Sequence, residues 1–297
     1  MQGRTVRIVS QTIHYIEEHL HEQMDLDMVA SALHYSKYHL HRTFTKMVGL
    51  TIHDYTKRRQ LTEAAKLLVL SEKSIIEIAL MSGYESQQAF TDVFKATYKI
   101  SPAEFRERES FYPLQLEIHL KEEPVKMELA KEHIKFATPA DVDIWMELVD
   151  LTIDGYPRLN REEYIANLRQ YIADKRALIL RKGRCQMAVG VMGFSPDVGS
   201  IDFLAVHPQY RHLGIMRLFL EKLADELPDR KEIALTTYRA GDKADTGWRE
   251  EYRRLGFVER ELLVEYGYPT QRFVLPLKNK EETGDERYTK ESISEKF

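Results

Sequence analysis

Two stretches in the first third of the chain share one pattern, a short turn that leads into an amphipathic helix. They cover residues 36–44 and 83–95, and Ser101 and Pro102 follow the second. Each is a helix-turn-helix pattern, and the segment between them is long enough for a connecting helix. A rigid unit with two such helices can reach two successive major grooves on one face of B-DNA, about 34 Å apart. The repeat predicts an all-α, bihelical unit over residues 1–108.

Apolar spacing and cap residues predict the individual helices of this unit. Val6, Val9, Ile13 and Ile16 lie at helical spacing and predict the first helix. The later helices are expected to begin at Asp25, Ser36, Thr51 and Ser86. Gly83 stands at the turn before the second reading helix, where a residue with positive φ is often required.

Length and composition limit the class of protein. A chain of 297 residues exceeds what one hydrophobic core usually supports, which favours two domains. The single cysteine, Cys185, excludes an internal disulfide and suits a reducing compartment. No apolar run approaches the roughly 18 residues of a membrane span. We therefore expect a cytoplasmic protein without a membrane partner.

The charge balance gives no general support for binding nucleic acid. The net charge is −4, and residues 1–110 hold 14 basic and 14 acidic side chains. Attraction to DNA must therefore come from local clusters of basic residues. Lys57, Arg58 and Arg59 form such a cluster in the sequence.

The first domain resembles the AraC/XylS family of bacterial transcription regulators. The residues that carry the resemblance are Ala79, Gly83, Tyr84, Phe90, Phe94, Lys95, Ser101, Pro102, Phe105 and Arg106. The resemblance implies a domain that binds double-stranded DNA and positions RNA polymerase. Carried over by position, it implies DNA contacts by Tyr38, His41 and Arg42 on the first reading helix, and by Gln87, Gln88, Thr91 and Asp92 on the second. The alternative for any one of these side chains is a solvent-exposed helix face without a role.

The chemistry of these side chains suits base recognition unevenly. Arg42 can bind guanine through two hydrogen bonds, and Gln87 or Gln88 can bind adenine in the same way. Asp92 departs from the basic or neutral residue that relatives often have, and its carboxylate would repel phosphate. The second helix is therefore expected to be the weaker reader.

A linker and a second domain follow. Leu114, Leu116, Ile118 and Leu120 alternate with polar residues, so that we expect a linker over residues 109–132 with one short strand. Residues 278–297 are highly charged and predict a tail. Between them, over residues 133–277, strands are expected at 134–137, 177–181, 186–194 and 200–206, with helices from residues 142 and 161. The last strand leads through a glycine-containing turn into a helix, and such a helix N-terminus favours an anion.

This second domain resembles the GCN5-related N-acetyltransferase (GNAT) superfamily. The family's pyrophosphate loop appears as Arg211-x-x-Gly214-x-Met216, and a second block runs from Tyr252 to Phe257. The resemblance implies an α+β domain with a central mixed sheet and acetyl-CoA as cofactor. It implies that main-chain amides of the loop hold the pyrophosphate and that two residues of the preceding strand pair with the pantetheine arm. The loop residues are Arg211, His212, Leu213, Gly214 and Ile215, and the strand residues are Leu204 and Val206.

The family's reaction is attack of a substrate amine on the thioester, which needs a base and an acid. By position, Tyr252 would be the acid and Asp202 the base, with aromatic packing and a solvated strand residue as their alternatives. Met216, Asp245 and Trp248 depart from the family pattern and weaken an enzymatic interpretation.

Three hypotheses follow. The first is a transcription regulator whose GNAT-like domain binds acetyl-CoA and senses or acetylates a small amine. The second is an N-acetyltransferase with vestigial DNA binding. The third is a regulator with an inactive GNAT-like domain that serves as a sensor or dimerisation module, so that a homodimer is possible.

Overall fold

The computed structural model describes residues 2–120, 129–152, 161–182, 187–265 and 268–277. Helices α1 to α7 form the first domain, and their bounds are Gln2–Glu18, Leu26–Ala32, Lys37–Val48, Ile52–Leu70, Ile75–Met81, Gln87–Tyr98 and Pro102–Glu107. This is the all-α double helix-turn-helix arrangement that the sequence predicts. The predicted tail, residues 278–297, lies outside the described residues.

Side-chain caps start these helices where the sequence places them. Asp25, Ser36, Thr51 and Ser86 each accept a hydrogen bond from the main-chain amide three residues later, in the helix that follows. Such caps satisfy amides that would otherwise have no partner in the helix. Gly83 has φ 78°, as its position at the turn requires.

The first domain has two hydrophobic cores, one for each helix-turn-helix unit. The first is built around Phe44 and Tyr55, and the second is built around Phe90, Phe94 and Phe105. The long helix α4 contributes to both, since Tyr55 lies in the first core and Leu61 and Leu68 lie in the second. Helix α4 therefore joins the two units, as expected for the connecting segment.

The segment after α7 packs along the first domain and forms no strand in residues 109–120. The short strand expected there is wrong. Its main chain bonds to side chains of α4 instead: the amides of Leu114 and Gln115 donate to Thr62 Oγ1 at 3.0 and 3.1 Å. Leu114 enters the second core and Ile118 enters the first, so these apolar residues are buried without forming a strand.

The second domain contains a seven-stranded mixed sheet in the order β1-β2-β3-β4-β5-β7-β6. The strands are Ile134–Phe136, Ala177–Lys182, Met187–Ser195, Ser200–Val206, Glu232–Tyr238, Val258–Glu265 and Tyr268–Pro276 for β1 to β7. Helices α8 to α11 are Val142–Thr152, Arg161–Ala173, Ile215–Glu226 and Trp248–Arg254. This is the α+β arrangement with a mixed sheet that the sequence predicts.

Helices cover both faces of the sheet. Helix α10 packs through Phe219 and Leu223 on one face, and α8 and α9 pack through Trp145 and Leu168 on the other. Gly190 of β3 permits the close approach of α10, because a Cβ atom there would lie 2.6 Å from Phe219 Cε2. Within the ranges given above, no helix is both long and apolar enough to cross a bilayer.

The centre of the sheet opens between β4 and β5. These two strands run parallel, and their register contains one pair, Ser200 with Ala234. The other neighbouring strands pair antiparallel over most of their lengths. The ends of β4 and β5 that carry Val206 and Tyr238 therefore diverge, and each leads into a loop.

Candidate functional sites

The first reading helix, α3, presents the predicted side chains to solvent. Leu40 and Phe44 are buried on its inner side, whereas Tyr38, His41 and Arg42 are exposed. The guanidinium of Arg42 lies 5.4 Å from the centre of the Tyr38 ring. This cation–π contact holds the arginine on the helix surface while its hydrogen-bond donors stay in solvent.

The second reading helix, α6, has the same organisation. Gln87, Gln88 and Asp92 are exposed, and Thr91 is half-buried. Gln88 Nε2 donates to Asp92 Oδ1 at 2.9 Å, one helical turn away. The amide that could bind adenine is thus engaged with the acid that would repel phosphate. This pair gives a physical reason to expect weaker reading by the second helix, and DNA contacts by these residues stay predictions.

Two of the three basic residues in the cluster of α4 are buried, so the expectation that Arg58 and Arg59 attract DNA is wrong, whereas for Lys57 it stays a prediction. Arg59 is buried and binds both carboxylate oxygens of Glu17, with Nη2 2.8 Å from Oε2. Arg58 is also buried, and it donates to main-chain carbonyls at 3.1–3.2 Å. Lys57 is half-buried over the Tyr84 ring. The two arginines stabilise the fold, because they donate hydrogen bonds to a carboxylate and to main-chain carbonyls that are shielded from water.

Replacement of Arg42 by alanine tests the role of α3. If Arg42 reads a base, the variant loses about 1–3 kcal/mol of discrimination at one base pair and little elsewhere. Binding to a set of duplexes with single substitutions measures this, and Arg7→Ala, an exposed arginine on α1, is the matched control. An equal loss on every duplex would make Arg42 a phosphate contact instead.

The second candidate site is the connection between β4 and α10. A 3₁₀ turn, Pro208–Leu213, follows β4, and Gly214 with φ 71° then begins α10. The N-cap of α10 is this glycine, which has no side chain to act as a cap, and the first turn of the helix contains no acidic residue. A Cβ atom on Gly214 would meet no heavy atom within 4 Å, so the glycine serves the backbone angle and the space in front of it is open. Such a terminus suits an anionic group.

The predicted cofactor residues surround this connection. Ile215 and Val206 are buried, Leu204, Arg211 and Leu213 are half-buried, and His212 and Gly214 are exposed. On one side, Leu204 and Val206 pair with Met192 and Gly190 of β3. On the other side, the described register between β4 and β5 contains the pair Ser200 with Ala234 and no pair for Leu204 or Val206, because the two strands diverge. This geometry is compatible with a pantetheine arm that adds to β4, which stays a prediction.

Asp245 and Trp248, two departures from the family pattern, serve the second loop. Asp245 Oδ1 accepts hydrogen bonds from the amides of Gly247 at 3.0 Å and Trp248 at 2.9 Å. The acid therefore neutralises the N-terminus of α11 instead of facing an anion as an isolated charge. The Trp248 ring lies 4.7 Å from the guanidinium of Arg211, so it joins this loop to the β4–α10 turn.

The two predicted catalytic residues lie in different surroundings. Tyr252 is half-buried on α11, and its ring contacts Phe257 and Phe273 at 5.6 and 6.3 Å between centres. Asp202 is exposed at a bulge in β4. Its carboxylate accepts from the hydroxyls of Tyr171 at 2.8 Å and Ser200 at 2.6 Å, and also from Ser195.

These surroundings limit what Asp202 can do. A carboxylate has about four positions for hydrogen bonds, and three are used. Partial burial and the bond to Asp202 raise the pKa of Tyr171, which keeps that phenol protonated as a donor. The catalytic roles of Asp202 and Tyr252 stay predictions.

Sequence reasoning did not find a set of contacts between the two domains. Arg58 Nη1 of α4 donates to the Ala244 carbonyl, and Lys99 Nζ at the end of α6 binds Asp242 Oδ1 at 2.8 Å. Arg211 Nη1 lies 3.5 Å from the Val48 carbonyl at the end of α3. We call these contacts, with the apolar residues around them, the docking interface. No pattern in the sequence indicates these contacts. In the structure Lys99 has φ 66°, which is unusual for lysine.

Two family profiles match the chain, one for each domain. The profile described as "Helix-turn-helix domain" matches residues 29–108, and the profile described as "Acetyltransferase (GNAT) family" matches residues 145–257. Together they cover both reading helices, the β4–α10 turn and helix α11.

Curated relatives match the first third of the chain. The "Uncharacterized HTH-type transcriptional regulator YbfP" of Bacillus subtilis (strain 168) is 37% identical over 100 residues, which make up 34% of this chain and 34% of that protein. The "Regulatory protein SoxS" of Escherichia coli (strain K12) is 36% identical over 102 residues, 34% of this chain and 95% of SoxS. The chain thus spans about a third of YbfP and nearly all of SoxS.

One solved structure is similar to the second domain. A GNAT-family acetyltransferase from Bacillus cereus ATCC 10987 aligns with a TM-score of 0.38 and 14% identity, over 48% of this chain and 95% of that chain.

Proposed function

The chain belongs to the AraC-type family of helix-turn-helix transcription regulators, and from that premise we propose that its GNAT domain binds acetyl-CoA as the signal or the substrate of the regulator. The DNA-binding half is a property of the family, which binds double-stranded DNA. The proposal concerns the second half and what it contributes to regulation. Its support is the divergence of β4 from β5 next to the N-terminus of α10, which has a glycine as its N-cap and no acidic residue in its first turn.

The residues of this region fit acetyl-CoA. In the proposed complex the amides of Arg211, His212, Leu213, Gly214 and Ile215 hold the pyrophosphate, and the main chain of Leu204 and Val206 binds the pantetheine arm. The open space at Gly214 leaves room for the phosphates, and Asp245 is directed to the amides of α11. Bound acetyl-CoA would supply an activated acetyl group as a thioester.

Two further steps separate a sensor from an enzyme. An acetyltransferase also needs Asp202 to accept a proton from an amine, directly or through water, and Tyr252 to protonate the departing thiolate. Asp202 has a remaining position for a hydrogen bond, and Tyr252 lies on the helix that follows β5. Tyr252 also packs among aromatic rings, and this packing is compatible with a sensor that binds acetyl-CoA without catalysing a reaction. The same proposal includes three further partners of the regulator: RNA polymerase, a small amine, and a second copy of the chain in a homodimer.

Calorimetric titration of acetyl-CoA into the full-length protein tests the proposal. We expect saturable binding to one site, with a dissociation constant on the order of micromolar, equivalent to about 8 kcal/mol. Gly214→Val places a branched side chain at a residue with positive φ and in the open space that the phosphates would occupy, so it should weaken binding strongly. Gly3→Val is the control and should leave the affinity for acetyl-CoA unchanged. Absence of binding by the folded protein would contradict the proposal.

A screen of small amines then separates the sensor from the enzyme. If Tyr252 is the acid, Tyr252→Phe should bind acetyl-CoA with unchanged affinity and form acetylated product about 10²–10⁴-fold more slowly. Liquid chromatography of the products measures this. Equal rates for the wild type and the variant would assign Tyr252 to packing alone.

A further inference from the structure

We propose that acetyl-CoA binding and docking of the DNA-binding domain are mutually exclusive, so that the cofactor releases the C-terminal ends of both reading helices. This inference rests on the proposed function and states how that site would control the regulator. The loops that would flank the cofactor, between β4 and α10 and between β5 and α11, are the same loops that bind the first domain.

The β4–α10 turn holds the end of the first reading helix. The Arg211 guanidinium lies 3.5 Å from the Val48 carbonyl and 3.4 Å from the carbonyl of Val206, the last residue of β4. The α3 helix ends at Gly49, where a Cβ atom would come within 3.0 Å of Arg211 Nη1. A side chain of the predicted pyrophosphate loop thus lies against the last turn of α3.

The loop between β5 and α11 holds the end of the second reading helix. Lys99, the C-cap of α6, binds Asp242 at 2.8 Å, and the Asp242 side chain is only 5% exposed. The other oxygen of Asp242 accepts from the Tyr268 hydroxyl at 2.9 Å. Burial, followed by this bond to Asp242, raises the pKa of Tyr268 and keeps the hydroxyl as a donor. Asp242 is therefore a fixed acceptor to which Lys99 attaches α6.

Apolar side chains close the space between these two points. Leu151 of α8 packs against the core of the first helix-turn-helix unit. A cavity of about 10 Å³ is left where the domains meet, lined among others by Val48, Leu50, Ile118, Pro208, Arg211 and Thr246. Such a cavity admits at most about one water molecule. Pro208 and Arg211 of the β4–α10 turn and Thr246 of the next loop are thus in close contact with the first domain. A cofactor arm that enters beside these residues would therefore need the domains to separate, while the space at Gly214 stays open for the phosphates.

The docked state leaves the predicted DNA-reading side chains exposed. Tyr38, His41 and Arg42 on α3, and Gln87 and Asp92 on α6, are exposed while the ends of both helices are held. Docking therefore fixes the two helices relative to each other without covering them. Because binding effects between two sites are reciprocal, a cofactor that requires undocking opposes the state in which DNA is read, and DNA opposes the cofactor.

Replacement of Lys99 by alanine tests this coupling. The variant keeps the Cβ atom at φ 66°, so the backbone strain is unchanged. It loses both contacts of Nζ with the second domain, the ion pair with Asp242 and the contact with the Tyr268 ring, together with a local hydrogen bond to the Ala96 carbonyl. Since less of the protein is then held in the state that excludes the cofactor, calorimetry should show about three- to tenfold tighter binding of acetyl-CoA. Leu151→Ala should shift affinity in the same direction, and Lys135→Ala, an exposed lysine of β1, should not.

Hydrogen exchange on the wild type supplies a second readout. Acetyl-CoA should increase exchange of the amides at residues 48–50 and 242–246, which the docking interface covers. Equal affinities of the wild type, Lys99→Ala and Leu151→Ala for acetyl-CoA, with unchanged exchange at these residues, would overturn the coupling and leave the cofactor site in place. Failure of all the folded variants to bind acetyl-CoA would overturn the proposed function, and the coupling with it.

Discussion

Replacement of Glu17 by alanine should lower the free energy of unfolding of the first domain by about 3–5 kcal/mol. Glu17 and Arg59 are both largely buried, with side chains 12% and 7% exposed. Glu17 also accepts a hydrogen bond from the Tyr55 hydroxyl at 2.9 Å. The variant leaves the arginine charge without its main partner and the tyrosine hydroxyl without an acceptor, and both groups lie away from water.

The neighbouring residue provides the control. Glu18 is exposed, and its one ion pair within the described residues is with His14, so Glu18→Ala should change stability by no more than about 0.5 kcal/mol. Both tryptophans, Trp145 and Trp248, lie in the second domain. Because tryptophan fluorescence would report only on the second domain, urea unfolding is followed by far-UV circular dichroism, which also detects the helices of the first domain. Equal stability of the Glu17 and Glu18 variants would contradict the structural role of the buried pair.

Replacement of Phe94 by alanine should destabilise the second helix-turn-helix unit by about 3–5 kcal/mol. Phe94 is fully buried, and its ring lies 5.4 Å from those of Phe90 and Phe105 and 4.4 Å from that of Tyr98. Removal of the ring leaves a cavity among side chains that are too rigid to fill it. Because Phe94 lies on α6, the variant should also lose the reading of the second half of its DNA site.

The control for this variant is Phe111→Ala in the segment after α7, since Phe111 is 37% exposed. It should unfold in urea at close to the wild-type midpoint. A Phe94 variant as stable as the Phe111 variant would show that the aromatic cluster does not hold α6 in place.

Local signals predicted most of the helices and strands. Ser36, Thr51 and Ser86 begin their helices as expected, and a helix predicted from residue 161 is α9, Arg161–Ala173. The strand expected at residues 200–206 is β4. These successes have a local cause, because a cap or an apolar period acts within a few residues of itself.

The failures have a different cause, because they depend on contacts between residues far apart in the chain. In the sequence Arg58 and Arg59 resemble a DNA-binding cluster, but in the structure they bind Glu17 and the main chain of the segment after α7. The alternation at residues 114–120 resembles a strand, but Leu114 and Ile118 are buried in the two cores of the first domain instead.

The candidate sites divide in the same way. Exposure of Arg42 and Gln88 follows from helical periodicity and was predictable. The bond from Gln88 to Asp92 and the use of Asp245 as a cap are also short-range, yet residue type alone does not indicate them. The contacts of Lys99 with Asp242 and Arg211 with Val48 join residues more than 140 positions apart, and no local pattern could reveal them.

The most direct test of the account is the affinity for DNA with and without acetyl-CoA. A labelled duplex, selected from a random pool by the wild-type protein, is titrated in fluorescence anisotropy at one fixed salt concentration, because binding of DNA depends strongly on salt. We expect saturating acetyl-CoA to weaken binding of the wild type by about threefold or more, and to affect Lys99→Ala less. Identical titration curves for the wild type in the presence and absence of acetyl-CoA would contradict the claim that the two domains act on each other.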